Sequence, residues 1–434
     1  MSSSTIIAIY IALAAADLGW GILLGLLNRR SVLASQARVP PELAGSVSPE
    51  EAEKSRSYTL ARMRLSFVQE PVTTAIVVAV AAAGIFGLLD DIVRGLVEGE
   101  YWRGALFLGA VAVASGLLSL PFSIYSTFVL EKRFGFNTTT IRTWLVDGLK
   151  GSVIATVLGL PLLWLLFVFM NATGSLWWLW AATIFSALSV VLSLLYPLVI
   201  APLFNTFTPL PDGSLAERIR AMAERTGFRM SGVFVMDGSK RSRHSNAYFT
   251  GLGKAKRIVL YDTLVDSMDE DEILAVLGHE IGHEKKRHIV KGTVLSIGLS
   301  FATFYALSLL ARWPELYAAF GFARDGAAYP TKEALLLVFG LVSGPATFFL
   351  APIFSAWSRA HEYEADRFAV EAMDSYPAGV AALSSALIRL NKENASNLWP
   401  HPLYSFWYYS HPTLLERLRA IQGDREEGRT ALFI

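Results

Sequence analysis

The chain has 434 residues, is 53% hydrophobic and has a mean hydropathy of +0.42, which together exclude an ordinary soluble globule. The net charge of +1 says nothing about nucleic acid by itself, and no basic stripe points to a nucleic-acid surface. The absence of cysteine excludes disulfides, thiolate metal sites and a cysteine nucleophile, so any metal must sit on histidine and carboxylate ligands.

Crossing the hydrocarbon layer as a helix takes roughly 18 or more apolar residues. Seven stretches qualify: 5–27, 72–89, 104–130, 151–170, 176–200, 292–311 and 334–357. The first lacks a basic start and runs on to Asn28-Arg29-Arg30, so a retained helix is expected rather than a cleaved secretory signal. The loop after the first span holds Arg29, Arg30, Arg38, Lys54, Arg56, Arg62 and Arg64, and the loop after the third holds Lys132, Arg133, Arg142 and Lys150. The second loop is rich in acid and the fourth, 171–175, is uncharged. Basic loops stay in the cytoplasm, so the N-terminus is expected outside, with segment 201–291 and the tail after 357 together in the cytoplasm.

Between the fifth and sixth spans, residues 214–226 carry Leu215, Ile219 and Met222 at helical spacing. Residues 232–236, 246–250 and 257–261 read as strands, the last two forming a hairpin around Gly251-Leu252-Gly253-Lys254. Residues 269–288 read as one helix, with Asp269, Glu270, Asp271 and Glu272 at its start and Lys285, Lys286 and Arg287 at its end, the order that suits the helix dipole. After the seventh span, residues 358–373 and 412–422 read as two further helices.

The chemistry concentrates in His279-Glu280-Ile281-Gly282-His283. Two imidazoles four residues apart share one helical face and can reach one tetrahedral zinc ion, and Glu280 between them can take a proton from an activated water. A catalytic zinc needs a third protein ligand and an open position. Glu362 can supply that ligand, and Asp366, four residues on and on the same face, can accept from the free ring nitrogen of a histidine, most simply His279. Glu364 falls on the opposite face, where solvation is expected. An oxyanion needs a further donor, for which His411 is the candidate, with Arg417 beyond it; a helix-start histidine and a surface charge are the plain alternatives. His244, His288, His361 and His401 are expected to be structural.

The chain resembles the type-1 CAAX prenyl proteases and their prokaryotic relatives. The resemblance rests on Glu131-Lys132-Arg133-Phe134-Gly135-Phe136-Asn137, Ser245-Asn246-Ala247-Tyr248, the His279 to His283 motif, His361-Glu362-Tyr363-Glu364-Ala365-Asp366, and Ser410-His411-Pro412 with Leu415-Glu416-Arg417. It implies an α-helical membrane protein in which seven helices form a barrel around a chamber, with a small α+β zinc-protease domain. It also implies one zinc ion per chain on His279, His283 and Glu362, and substrate contacts from Asn246, Ala247, His411 and Arg417.

The expected organisation is spans one to five in 1–200, the zinc-protease domain in 201–291, spans six and seven in 292–357, and a tail in 358–434 that brings the third ligand. The expected activity is hydrolysis of extended or C-terminal peptide segments, with removal of the last three residues of a prenylated peptide implied by resemblance. Its expected partners are a peptide or protein substrate and the lipid bilayer, the chain acting as a monomer without nucleic acid. Two alternatives stand beside it, a membrane-protein quality-control protease without prenyl specificity and a non-catalytic receptor or chaperone. A binding-only protein, however, has no need of the Glu280 base.

Overall fold

The structure is a computed structural model that describes residues 1–250 and 256–423. The membrane part opens with α1 (Ser3–Ala34) and α2 (Pro49–Ala82), the latter started by a capping box between Ser48 and Glu51. The expected second span, 72–89, is corrected here. Gly84, at φ 67°, ends the run in the left-handed region, and a separate short helix α3 (Ile85–Leu96) follows. Glycine is also needed there for room, since a Cβ on neighbouring Gly87 would fall on the carbonyl of Gly321.

Next come α4 (Glu100–Ile124), which widens into π turns as far as Glu131, then α5 (Ile141–Ala172) and α6 (Trp177–Leu195). A π segment joins α6 to the single turn α7 (Ala201–Phe204).

The polar domain follows with β1 (Phe207–Pro209), α8 (Ser214–Arg225), β2 (Gly232–Met236), β3 (Ala247–Thr250), β4 (Arg257–Tyr261), α9 (Asp262–Ser267) and α10 (Glu270–Lys285). Strand order is β1-β2-β4-β3, with β2 and β4 parallel and the other pairs antiparallel. β1 was not expected from the sequence. The expected hairpin appears as the β3–β4 pair, and its connecting glycines lie outside the described residues. α10 is shorter than the expected 269–288: Asp269 caps it in a box with Glu272, and Arg287, at φ 58°, turns the chain so that His288 opens the next helix.

That helix is α11 (His288–Leu310), followed by α12 (Pro314–Ala319), the two-residue strands β5 (Ala323–Arg324) and β6 (Ala327–Ala328), and α13 (Lys332–Phe348). The seventh span was expected to be continuous through 357. Instead α13 meets α14 (Ala351–Ala372) at a 61° bend, with Pro352 in the first turn of α14, where a missing N–H costs nothing. The expected 358–373 helix is thus the second half of α14. The tail is completed by α15 (Tyr376–Glu393), α16 (Pro402–Tyr408) and α17 (Leu414–Gln422), the last beginning after its capping residue Thr413 rather than at 412.

Six of these helices are long and apolar enough to cross a membrane, and the bent pair makes a seventh crossing. The crossings touch in a closed ring, α1–α2–α4–α5–α6–α11–α13 and back to α1. In the six unbroken spans only 6–17% of the most apolar window is buried, so the wall is one helix thick, with one face for lipid and one for an interior chamber. The protein is an integral membrane protein of this helical-barrel class.

Candidate active site

α10 is held between the sheet and α14. On one side Ile273, Leu277 and Ile281 pack with Ile258 and Leu260 of β4. On the other side are Gly278 and Gly282. A Cβ at Gly282 would stand 3.0 Å from the Cα of Ala365, and one at Gly278 would stand 3.2 Å from the Cα of Ala369. The two helices therefore meet backbone to backbone. This contact sets His279 and His283, four apart on α10, opposite Glu362 and Asp366, four apart on α14.

The Nε2 atoms of His279 and His283 lie 3.1 Å apart, and the Glu362 carboxylate faces both, with Oε2 at 3.4 Å from His279 and Oε1 at 3.3 Å from His283. One ligand atom from each of the three residues lies within 4.8 Å of the others. His279 Nδ1 is 2.8 Å from Asp366 Oδ1, and Arg417 Nε donates to Asp366 Oδ2 at 2.8 Å. Burial works against a charged imidazole at His279, yet the hydrogen bonds and charges of Asp366 and Glu362 outweigh it and raise its pKa to about 9. Burial likewise pushes Glu362 up, but the imidazoles of His279 and His283 beside it hold it well below the usual carboxylate range. For Asp366 burial is overcome by the charge and hydrogen bonds of Arg417 and the hydrogen bond from His279, which bring it down to about 2. The site stabilises positive charge at its centre.

Two imidazoles, one carboxylate and no thiolate form the donor set of a catalytic zinc with an open fourth position. The buried Glu362 Oε2 has no hydrogen-bond donor of its own, which suits a metal ligand. Glu280 is half-buried, and desolvation raises its carboxyl above the ordinary range, which suits a proton acceptor working near neutrality.

A cavity of about 1080 Å³ opens over these residues. His279, Glu280, Glu362, His411, Asn246 and Ala247 all line it, and Gly21 and Gly25 of α1 and Ser66 and Glu70 of α2 extend it into the helical barrel. β3 is an edge strand. Tyr261 donates to the carbonyl of Asn246, so residues 246, 248 and 250 turn their backbone groups toward β4. Ala247 and Phe249 turn theirs to the free edge, where the Ala247 N–H is held by the Asn246 side chain at 2.8 Å.

His411 brings Nε2 to 3.5 Å from Glu362 Oε1, while its Nδ1 pairs with Ser410 Oγ at 2.9 Å. Arg417 is not a surface charge: its side chain is buried against Asp366, with Nη1 at 3.9 Å from Glu362 Oε2. Two residues that sequence reasoning set aside also belong to the site. His288 was expected to end the zinc helix, but it is buried at the head of α11, and its Nδ1 is 3.0 Å from His283 Nδ1. Glu364, expected to be solvated, is half-exposed and accepts from His288 Nε2 at 3.0 Å. Helical periodicity carries no signal for this pairing, because it arises at the junction of two helices. His244 is not a plain loop residue either: it lines the cavity, stacks on Phe136 at 4.3 Å and pairs with Asn394 at 2.9 Å. His361 stacks on His288, and His401 caps α16.

Comparison with known proteins agrees with this geometry. Residues 28–206 match the CAAX prenyl protease N-terminal family with five membrane helices, and residues 209–425 match peptidase family M48. The chain is 39% identical to CAAX prenyl protease 1 homolog of Arabidopsis thaliana, over 89% of this chain and 91% of that protein. It is 35% identical to CAAX prenyl protease 1 homolog of Homo sapiens, over 91% of each. The crystal structure of S. mikatae Ste24p superposes with a TM-score of 0.89 at 35% identity, covering 96% of this chain and 99% of that one. The chain therefore belongs to the type-1 CAAX prenyl protease family within peptidase family M48, and is a membrane-embedded zinc metalloendopeptidase.

Proposed function

We propose that the protein hydrolyses peptide bonds in extended C-terminal segments delivered into its chamber, and that it removes the last three residues of prenylated Cys-aliphatic-aliphatic-X peptides. The observation that carries this reading is the free edge of β3, with Ala247 and Phe249 facing outward, beside the zinc residues and inside a cavity that runs into the helical barrel. A peptide adding to that edge is held through its backbone, which fixes its register without demanding a sequence. The names of the relatives supply the substrate class.

His279, His283 and Glu362 would hold the zinc, which when bound would supply Lewis-acid activation of the attacking water and of the scissile carbonyl. Glu280, lining the cavity beside these residues, is placed to accept a proton from the attacking water and to deliver it to the leaving amine. Asp366 holds the Nδ1–H of His279, so that the Nε2 lone pair faces the metal. His411 donates to the oxygen of the reacting carbonyl, and Arg417 steadies the anionic side of the site while contacting substrate. Asn246 releases the Ala247 N–H to the incoming backbone. All these residues come from one chain, which supports a monomer as the working unit. The basic loops on the side of segment 201–291 support a cytoplasmic catalytic domain.

The test compares a matched pair of peptides, with and without a farnesyl group on the cysteine. Release of the last three residues is expected from the farnesylated peptide, at the higher kcat/KM. The apolar lining residues Met63, Phe67, Leu383 and Leu387 give the reason, because each methylene buried against them contributes about 0.8 kcal/mol. Equal cutting of both peptides would favour the quality-control reading, and no cutting of either would end the proposal.

A further inference from the structure

The two zinc-binding imidazoles are supported in different ways. His279 rests directly on a carboxylate, Asp366. Among the described residues no carboxylate stands against His283 Nδ1, and what stands there is a third imidazole. His288 Nδ1 is 3.0 Å from His283 Nδ1, and His288 Nε2 is 3.0 Å from Glu364 Oε2. On a continuous helix a residue five positions on would point about 140° away from His283. The left-handed Arg287 breaks the helix at that point and swings His288 back onto the site. The His288 ring is then clamped: His361 stacks on it at 4.0 Å with planes 12° apart, and Trp357 backs His361 at 4.2 Å. A side chain buried this tightly, and bonded at both nitrogens, has one orientation available.

The chemistry of the three groups fixes where the protons lie. An ionised Glu364 can only accept, so His288 must carry its proton on Nε2. A neutral His288 then offers a lone pair at Nδ1, which can be met only by an N–H on His283 Nδ1. His283 is thereby left with its Nε2 lone pair directed at Glu362 Oε1 and His279 Nε2, the centre where the metal belongs. Lys291 Nζ stands 3.9 Å from the same Oε2 oxygen of Glu364.

We propose that His288 and Glu364 are positioning residues of the zinc site: they form a relay that locks His283 in the tautomer that ligates metal through Nε2. The relay does for the second histidine what Asp366 does for the first, with an imidazole inserted between the ring and a carboxylate of α14. It rests on the reading that His279, His283 and Glu362 hold the zinc. Partners of this kind typically change metal affinity about 10–100-fold.

The test measures zinc retention by the full-length detergent-purified protein in competition with a chromogenic chelator, and the visible spectrum of the cobalt-substituted form. His288→Phe keeps ring size and stacking but removes both nitrogens. It is expected to hold zinc about 10–100-fold more weakly and to shift the cobalt bands. His288→Gln can accept from His283 and donate to Glu364 through its amide, and is expected to recover most of that loss. Glu364→Ala, at a half-exposed site that should fold normally, is expected to weaken zinc about tenfold. Unchanged zinc affinity and unchanged cobalt bands in His288→Phe and Glu364→Ala would overturn the relay. His283→Ala separates the two levels of the argument. Loss of zinc in that variant, with His288→Phe unaffected, refutes the relay alone; full zinc in His283→Ala refutes the metal site itself and the relay with it.

Discussion

Arg417 grips Asp366 with two parallel hydrogen bonds, Nε to Oδ2 and Nη2 to Oδ1, and the same guanidinium reaches His279 Nδ1 at 3.3 Å. Asp366 is almost fully buried, and it is tolerated as an anion because Arg417 and His279 surround it. Arg417→Met preserves the length of the side chain but strands that charge. The expected result is a destabilisation of about 3–5 kcal/mol, seen as a lowered melting temperature, together with weaker zinc binding. A melting temperature equal to that of the unsubstituted protein would mean that Arg417 serves substrate only and does not support Asp366.

Among the described residues Glu280 makes no hydrogen bond or ion pair with Asp366 or Arg417, and it stands outside the proposed ligand set, so its loss should separate chemistry from assembly. Glu280→Gln removes the proposed proton acceptor while keeping the shape of the side chain. Zinc content should stay at one ion per chain while peptide turnover falls at least about a hundredfold. Normal turnover with full zinc would assign the base to another group.

The two halves of the site differ in how readable they are. His279 and His283, with Glu280 between them, and Glu362 and Asp366 stand out in the sequence because each pair is four residues apart on one helix, which is a local rule, whereas the meeting of the two helices is not. What stays hidden is non-local. The bend between Phe348 and Ala351 lies in uniformly apolar chain, where hydropathy registers composition and not direction. β1 and the parallel β2–β4 pair depend on partners far along the chain. The Tyr58–Glu131 hydrogen bond at the cavity spans 73 positions, and no periodicity foretells it.

The edge of β3 gives a prediction independent of the metal. Because the Ala247 N–H faces outward, proline there removes a donor that the sheet itself does not use. Ala247→Pro should leave zinc content unchanged and raise the KM for an extended peptide at least about tenfold, the effect of one lost backbone hydrogen bond in an enclosed site. An unchanged KM would show that substrate does not pair with this strand.

Topology can be read directly because the chain has no native cysteine. Glu217 lies exposed on α8 and Ala327 exposed on β6, across the membrane from each other if the basic loops set the orientation. Gly326 would be a poor choice for labelling, since its φ of 79° disfavours any side chain. An impermeant thiol reagent applied from the cytoplasmic face should label Glu217→Cys and spare Ala327→Cys. Labelling of both from one side would require a different number of crossings.

The chamber makes the last prediction, because it decides what can reach the zinc. The cavity over His279 and Glu362 is bounded by Gly21 and Gly25 of α1 and by Ser66 and Glu70 of α2, so the barrel itself forms part of its wall. Glycine at 21 and 25 leaves room there: a Cβ on Gly25 would come 2.7 Å from the Phe67 ring, and one on Gly21 would come 3.3 Å from the Tyr408 hydroxyl. A polypeptide can enter such a space only as an extended chain, and a folded domain would have to unfold first. Turnover should therefore be high for a cleavable segment on a flexible tether and should fall as the tether to a compact domain is shortened, although the sequence at the cut is unchanged. Unfolding that domain by mutation should restore cutting. Measured as kcat/KM across a tether-length series, equal values for the longest and shortest tethers would mean that the zinc site is open to solvent and that the helices do not gate it.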